Sequence, residues 1–180
     1  VAINEYLGKE RKAAPMHALL PGMTKLDKES LALYFASQEP APRGKPPFGD
    51  PAAGEPLTAV CGGCHGVNGV SADTATPVRA SQDARYLVQA IKAYRTTRKR
   101  ESMRVYVTGL SDKDIENIAA FYSVQKSRPA EKGQTIVQDL TEKCNRCHTA
   151  EDNPAMVVPK ISGQDKDYLV MALRAYRDGK

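Results

Sequence analysis

The chain has no tryptophan, and aromatic residues make up only 6% of its 180 positions. It also has no apolar run of about 18 residues, the length that a membrane-spanning helix needs. Its start, Val1–Glu5, has neither the basic residues nor the apolar core of a secretory signal. Cysteine and histidine are scarce, with four and three copies. These absences argue against a membrane-spanning helix and leave few side chains for metal or redox chemistry.

The scarce cysteines all stand in two copies of one pattern, Cys-x-x-Cys-His. The copies are Cys61, Cys64 and His65, and Cys144, Cys147 and His148. Two cysteines at this spacing lie on one side of a helical turn, where each thiol can bond a vinyl group of the same porphyrin. The adjacent histidine then points at the iron. The pattern therefore predicts two covalently attached c-type haems.

Two other chemistries use paired cysteines. Zinc ribbons do not require a histidine after each pair. A thioredoxin-like redox pair would follow a strand, whereas the flanks here indicate helix and loop. Haem attachment to thiols takes place outside the cytoplasm in bacteria. We therefore expect a periplasmic or extracellular protein, with this chain a processed or truncated product of an exported precursor.

The formal charge of +5 says little about partners. Each haem brings two propionates, so two ferrous haems would reduce the balance to about +1. The basic run Arg95–Arg100 is predicted to form a solvated rim of a haem pocket or a docking patch. No nucleic-acid partner is expected.

The central stretch, residues 54–125, has the order haem motif, helix, methionine, closing helix. The first helix is indicated by apolar residues at helical spacing: Leu87, Val88, Ile91 and Tyr94. Met103 is expected in the loop after it. Ser111, with Asp114 three positions later, predicts a capping box that opens the closing helix.

Parts of this unit are repeated at both ends of the chain. A shift of 87 residues aligns Met16 with Met103, and a shift of 82 aligns Pro159 with Pro77. The predicted order is a methionine half (1–38), a proline-rich linker (39–53), the complete unit (54–125), a short linker (126–132) and a haem-binding half (133–180). By the second shift, the last half would have its own methionine near position 185, beyond Lys180.

The sequence of the complete unit resembles the cytochrome c4 branch of class I c-type cytochromes. The resemblance rests on Cys-x-x-Cys-His-Gly, the later proline, Tyr-Leu, the basic stretch with methionine, and Gly-Leu-Ser-Asp-x-Asp-Ile. It implies an all-α fold of tandem small domains, here one complete central domain flanked by two half-domains. It also implies that His65 and Met103 are axial ligands and that the Pro77 carbonyl orients His65. His148 and Pro159 match the same roles at the second haem.

The distal ligand of the second haem is open. Met16 is a candidate, supplied by the methionine half of this chain or of a neighbouring one. The spare His17 is a weaker competitor. Residues 1–10 and 170–179 both match 88–97, so paired terminal halves would compete for one place. For that reason a fragment of a three-domain cytochrome is favoured over such complementation.

The leading functional hypothesis is electron transfer between redox proteins, not enzymatic catalysis. One alternative is a haem enzyme, of the sulfur-oxidising or peroxidase type, that uses the second haem. Another is a subunit of a filament, in which the last half pairs head to tail with the leading half of the next molecule.

Overall fold

The structure, a computed structural model, describes Met16 and residues 23–40, 44–98, 100–128, 138–148 and 157–177. These residues form helices and no strand, so the predicted all-α class is confirmed. No helix among them is both long and apolar enough to cross a membrane. The α-helices are α1 Lys25–Ala36, α2 Pro51–Gly54, α3 Gly62–His65, α4 Ala84–Thr96, α5 Glu101–Val107, α6 Asp112–Val124, α7 Gln138–His148 and α8 Lys166–Arg177, with a 3₁₀ turn at Glu55–Thr58.

The core of the central unit lies between α4 and α6. Its buried residues are Ala84, Leu87, Ile118, Ala119, Phe121 and Tyr122. Ser111 caps α6 through the predicted box: its hydroxyl accepts from the backbone N–H of Asp114, and the Asp114 carboxylate accepts from the backbone N–H of Ser111. The amphipathic pattern and the capping signal therefore place both helices correctly.

The central unit begins earlier than the sequence predicts, because part of the predicted linker 39–53 is packed. Phe48 contacts the central core. The backbone N–H of Asp50 donates to the Asn117 side chain at 2.9 Å. A Cβ on Gly54 would lie 2.1 Å from the Asn117 carbonyl oxygen, so α2 lies directly against α6. Pro51 is compatible with this packing because it stands in the first turn of α2, where its missing N–H costs no hydrogen bond.

A second core joins the two ends of the chain. Leu31, Ala32 and Phe35 of α1 are buried against Leu169 and Val170 of α8. Leu140 and Cys144 of α7 contact the same cluster. The described parts of the leading methionine half and the trailing haem-binding half therefore pack against each other within one chain. This is the complementation that the sequence made less favoured than a fragment of a three-domain cytochrome.

The packed halves reproduce the central unit position by position. By the two sequence shifts, Leu31 corresponds to Ile118 and Leu169 to Leu87, and all four are buried. The backbone N–H of Gly163 donates to the Phe35 carbonyl at 2.8 Å, and that of Ser81 donates to the equivalent Tyr122 carbonyl at 3.1 Å. We call residues 23–38 together with 138–148 and 157–177 the second unit. Residues 1–10, which the sequence placed in competition with 170–179, lie outside the described residues.

Two local expectations are wrong. Met103 is not in a loop but on the short helix α5, which begins after Arg100. The basic run 95–100 is not wholly solvated either. Arg98 is only 7% exposed, with its guanidinium 5.0 Å from the centre of the Tyr94 ring. Arg95 donates to the carbonyls of Val107 and Leu110, which lie at and after the end of α5. Periodicity does not reveal such inward-facing arginines, because their long apolar stems allow the charged heads to reach distant carbonyls.

Candidate haem sites

The first Cys-x-x-Cys-His motif forms a single helical turn. Cys61 stands at the start of this turn, and the backbone N–H of His65 donates to the Cys61 carbonyl at 2.9 Å. The turn ends at Gly66, whose φ is +74°. A Cβ there would lie 2.1 Å from the Val70 carbonyl oxygen. Only glycine combines this left-handed backbone with so close an approach, so Gly66 fixes how the chain leaves the motif.

His65 is buried and held by a backbone carbonyl. Its side chain is 6% exposed, and Nδ1 lies 3.1 Å from the Pro77 oxygen. A carbonyl can only accept, so Nδ1 carries the proton and Nε2 keeps a lone pair for a metal. Burial lowers the pKa of His65 to about 3, with the positive charge of Arg79 as a second cause. The imidazole is therefore neutral near pH 7, as metal ligation requires.

The cysteines of this motif differ in exposure. Cys61 is half-buried against the central core, and burial raises the pKa of its thiol. Cys64 is exposed. Both are free thiols on one turn next to a neutral imidazole, and this donor set fits a covalently attached haem.

The second motif ends the longer helix α7 and repeats this geometry. His148 is 9% exposed, with Nδ1 2.8 Å from the Pro159 oxygen. Burial lowers the pKa of His148 as well, so this ring is also neutral near pH 7. Cys144 contacts the second core, and Cys147 is half-buried. The same donor set thus occurs at equivalent places in the two units.

The candidate distal ligands are two methionines. Met103 is half-buried on α5, and Met16 is half-buried in the leading half. Their assignment to the irons stays a prediction. His17, the spare histidine, lies outside the described residues.

Two residues near the first motif were not found from the sequence. The Ser71 hydroxyl donates to the Cys64 carbonyl at 2.8 Å. Arg128 donates to the Ser71 carbonyl at 2.7 Å and forms an ion pair with Asp165 at 2.8 Å. Arg128 therefore connects the loop after the first motif to the start of α8 in the second unit. It stands in the predicted short linker, outside the repeats, so no pattern pointed to it.

Comparison with known proteins finds relatives of this chain. A family model described as Cytochrome c matches residues 51–123. Cytochrome c4 of Azotobacter vinelandii is 34% identical over 155 residues, with 73% of this chain and 74% of that protein covered. Cytochrome c-554(548) of Halomonas halodenitrificans is 42% identical over 82 residues, which is 43% of this chain and 99% of that protein.

Among solved structures, the reduced recombinant cytochrome c4 from Pseudomonas stutzeri superposes with a TM-score of 0.55. It is 29% identical and covers 67% of this chain and 76% of that one. Sequence and fold therefore point to the same family.

Proposed function

We propose that this chain, which belongs to the cytochrome c4 family, passes single electrons between redox proteins through two covalently attached haems. Haem-based electron transfer is the activity of the family. For this chain we also propose the number of haems, their distal ligands and redox proteins as partners. The observation that carries it is the repeated histidine geometry, in which Nδ1 is held by a proline carbonyl and Nε2 is left for iron in both units.

Each unit supplies one set of residues for a haem. Cys61 and Cys64 would form the thioether bonds of the first, and Cys144 and Cys147 those of the second. His65 and His148 would bind the irons. When bound, the haem supplies an iron that gains and loses one electron reversibly. The proline carbonyls keep each imidazole in one tautomer and orientation, so little rearrangement is needed when the charge changes.

The proposed distal ligands are Met103 for the first iron and Met16 for the second. A thioether is a soft ligand that raises the potential relative to a second imidazole. Support for Met16 comes from the packing of α1 against α8, since α1 follows Met16 as α6 follows Met103. If His148 and Met16 both bound the second iron, they would leave it no open position for a substrate. This favours a carrier over the haem-enzyme alternative.

The same packing bears on the filament alternative. The apolar face of α1 that a neighbouring molecule would need is buried against α8 of the same chain. We therefore propose that the second haem site is formed within one chain and not between neighbouring molecules. Its expected location is the periplasm or the extracellular space, where c-type haems are attached.

The proposal is tested by replacing each ligand methionine with leucine, which keeps the volume and removes the sulfur. The intact mass of the haem-loaded protein first establishes two haems. Met103→Leu and Met16→Leu should each remove the weak near-infrared sulfur-to-iron band of one haem and lower its potential. Met23→Leu is the matched control, because Met23 contacts the second core and corresponds to Leu110.

The control variant should keep both bands. A second haem whose spectrum and potential are unchanged in Met16→Leu would remove Met16 from the site. Sustained turnover with peroxide or thiosulfate, lost when cyanide blocks the second haem alone, would move the assignment to the enzyme class.

A further inference from the structure

Two buried glutamines, one from each unit, lie where the units meet. Gln82 and Gln164 are 5% and 8% exposed and are related by the shift of 82 residues. Each stands just before the aspartate that precedes a helix, Asp83 before α4 and Asp165 before α8. A buried primary amide has to satisfy both its oxygen and its nitrogen, so the partners of these side chains show what they hold in place.

Each glutamine binds the backbone of the opposite unit with both ends of its amide. Gln82 Nε2 donates to the Lys160 carbonyl at 2.9 Å, and its Oε1 accepts from the Lys160 N–H at 2.8 Å. Gln164 Oε1 accepts from the Val78 N–H at 2.9 Å, and its Nε2 donates to the Val78 carbonyl at 3.2 Å. Val78 and Lys160 are themselves related by the shift of 82. The four bonds therefore form a reciprocal contact, in which one glutamine of each unit binds the backbone of the other unit.

The residues that the glutamines hold are next to the groups that orient the histidines. Val78 follows Pro77, whose carbonyl accepts from His65 Nδ1 at 3.1 Å. Lys160 follows Pro159, whose carbonyl accepts from His148 Nδ1 at 2.8 Å. The carbonyl of each proline and the N–H of the next residue belong to one planar peptide group. A bond to that N–H therefore restrains the orientation of the carbonyl that the histidine uses.

The glutamine amides are themselves fixed. Gln82 Oε1 also accepts from the Asp83 N–H at 3.0 Å, and Gln164 Oε1 from the Asp165 N–H at 3.1 Å. The aspartates in turn accept from the N–H groups of Tyr86 and Tyr168 in the first turns of α4 and α8. Each glutamine is thus anchored to the start of a helix in its own unit, and its amide binds the backbone of the other unit.

We propose that Gln82 and Gln164 are positioning residues that act across the interface. Gln164 sets the orientation of His65 at the first haem, and Gln82 sets that of His148 at the second. The proposal rests on the proposed function, since it needs both histidines as iron ligands. Its physical basis is that the hydrogen bond donated by Nδ1–H to the proline carbonyl makes the imidazole a stronger ligand for ferric iron. A less firmly held proline carbonyl would weaken that ligand and favour the ferrous state.

The test is a crossed pattern of potentials in the haem-loaded protein. Gln164→Leu should shift the midpoint potential of the first haem upward and leave the second nearly unchanged. Gln82→Leu should do the opposite. Gln164→Met and Gln82→Met keep the length of the side chain and remove both amide groups without adding a charge, so they cover the case in which a leucine variant does not fold. The potentials are assigned to the two haems with Met103→Leu and Met16→Leu, or with loss of one haem in Cys144→Ala/Cys147→Ala.

A second measurement separates positioning from general loosening of the interface. With three histidines in the chain, the ring N–H signals of ¹⁵N-histidine-labelled protein are few enough to follow one by one. Gln164→Leu should accelerate hydrogen exchange at His65 Nδ1–H and not at His148. The control is Arg128→Gln, which breaks the contacts of Arg128 with Asp165 and with the Ser71 carbonyl but removes no glutamine bond to Val78 or Lys160.

Equal shifts at both haems, or a shift confined to the haem of the mutated unit, would overturn the proposal, as would no shift at all. An Arg128→Gln variant that shifts the potential of the first haem upward as far as Gln164→Leu does would also overturn it, since the effect would then come from the interface as a whole. Failure of the proposed function looks different. The unmutated protein would then lack two histidine-ligated haems before any glutamine is changed.

Discussion

The central unit takes its core from one continuous stretch, whereas the second unit takes its core from stretches near the two ends of the chain. Even so, the same repeat positions are buried in both: Ile118 and Leu31 from the closing helices, Leu87 and Leu169 from the helices that they cover. The edge-to-face ring pair Phe121–Tyr122 also has its counterpart in Tyr34–Phe35. These contacts therefore depend on position within the repeat and not on chain order, as is known for domains that tolerate permutation of their ends.

Chain order nevertheless affects stability. The halves of the second unit are joined through the whole central unit, so their association closes a longer loop. The entropic cost of closure grows slowly, by about 0.6 kcal/mol for each doubling of loop length. We therefore expect the second unit to be the less stable of the two and to respond more strongly to equivalent changes.

The largest effect is expected from shortening an equivalent core residue in each unit. Leu31 is fully buried and Ile118 is 2% exposed. Leu31→Ala and Ile118→Ala should each cost about 2–5 kcal/mol, because both leave a cavity. Leu31→Ala should lower the melting temperature of the second unit and leave that of the central unit unchanged. Amide hydrogen exchange in α8 and α4 measures the stability of the two units separately. Equal loss of protection in both helices would show that the units unfold as one.

A smaller effect is expected at the turn that precedes the glutamines. Gly163 has a φ of +66°, and a Cβ there would lie 2.3 Å from Pro40 Cγ. Gly163→Ala should cost about 2 kcal/mol, from the left-handed backbone and the clash. The equivalent Ser81 already carries a Cβ at φ 59°, so Ser81→Ala loses mainly the hydrogen bond of its hydroxyl to the Gln125 carbonyl, worth about 1 kcal/mol. Urea unfolding of the two variants measures the difference, and similar losses would contradict it.

A third difference concerns a charge in the second core. Lys28 is fully buried, with Nζ 2.7 Å from the Met23 carbonyl oxygen, while the equivalent residue of α6 is the fully buried Ile115. Replacing Lys28 alone with an apolar side chain of similar length leaves the Met23 carbonyl without its donor, which should destabilise the second unit by about 1–3 kcal/mol. Lys28→Met is therefore expected to lower its melting temperature, with Lys25→Met on the exposed side of α1 as control. A raised melting temperature would mean that the cost of burying the ammonium group outweighs its bonds.

The smallest effect is expected at the two capping boxes. Thr24→Ala and Ser111→Ala each remove a hydroxyl that accepts from the start of a helix, at a cost of about 1 kcal/mol. Hydrogen bonds from these hydroxyls lower the pKa values of Asp27 and Asp114. Lowered carboxyl pKa values stabilise the fold above the ordinary value of 3.8, and this contribution is lost as the pH falls through the lowered values. Below pH 3.8, the free energy of unfolding should therefore fall less with decreasing pH in both variants than in the unmutated protein. Circular dichroism followed against pH measures this difference.

Much of the candidate site could be predicted from the sequence because it depends on local spacing. The two haem motifs, the prolines that lie near the histidines and the capping box of α6 are all short-range patterns. The shift of 87 residues also aligns Thr24, which caps α1, with Ser111, which caps α6. The positions of Met103 on a helix, of Arg98 in the interior and of Phe48 against the central core were not predicted, because each depends on what lies across the packed helices.

The sequence by itself determined that the chain is helical, that it carries two haem motifs of one kind and that its ends are halves of a repeated unit. Only the tertiary structure decided that these halves pack against each other within one chain and that Gln82 and Gln164 hold the opposite unit. The physical reason is range. A helical turn or a cap is settled by residues three or four positions apart. The pairing of α1 with α8 and the four glutamine bonds join residues about 80 or more positions apart, and they form only once apolar burial has brought both units together.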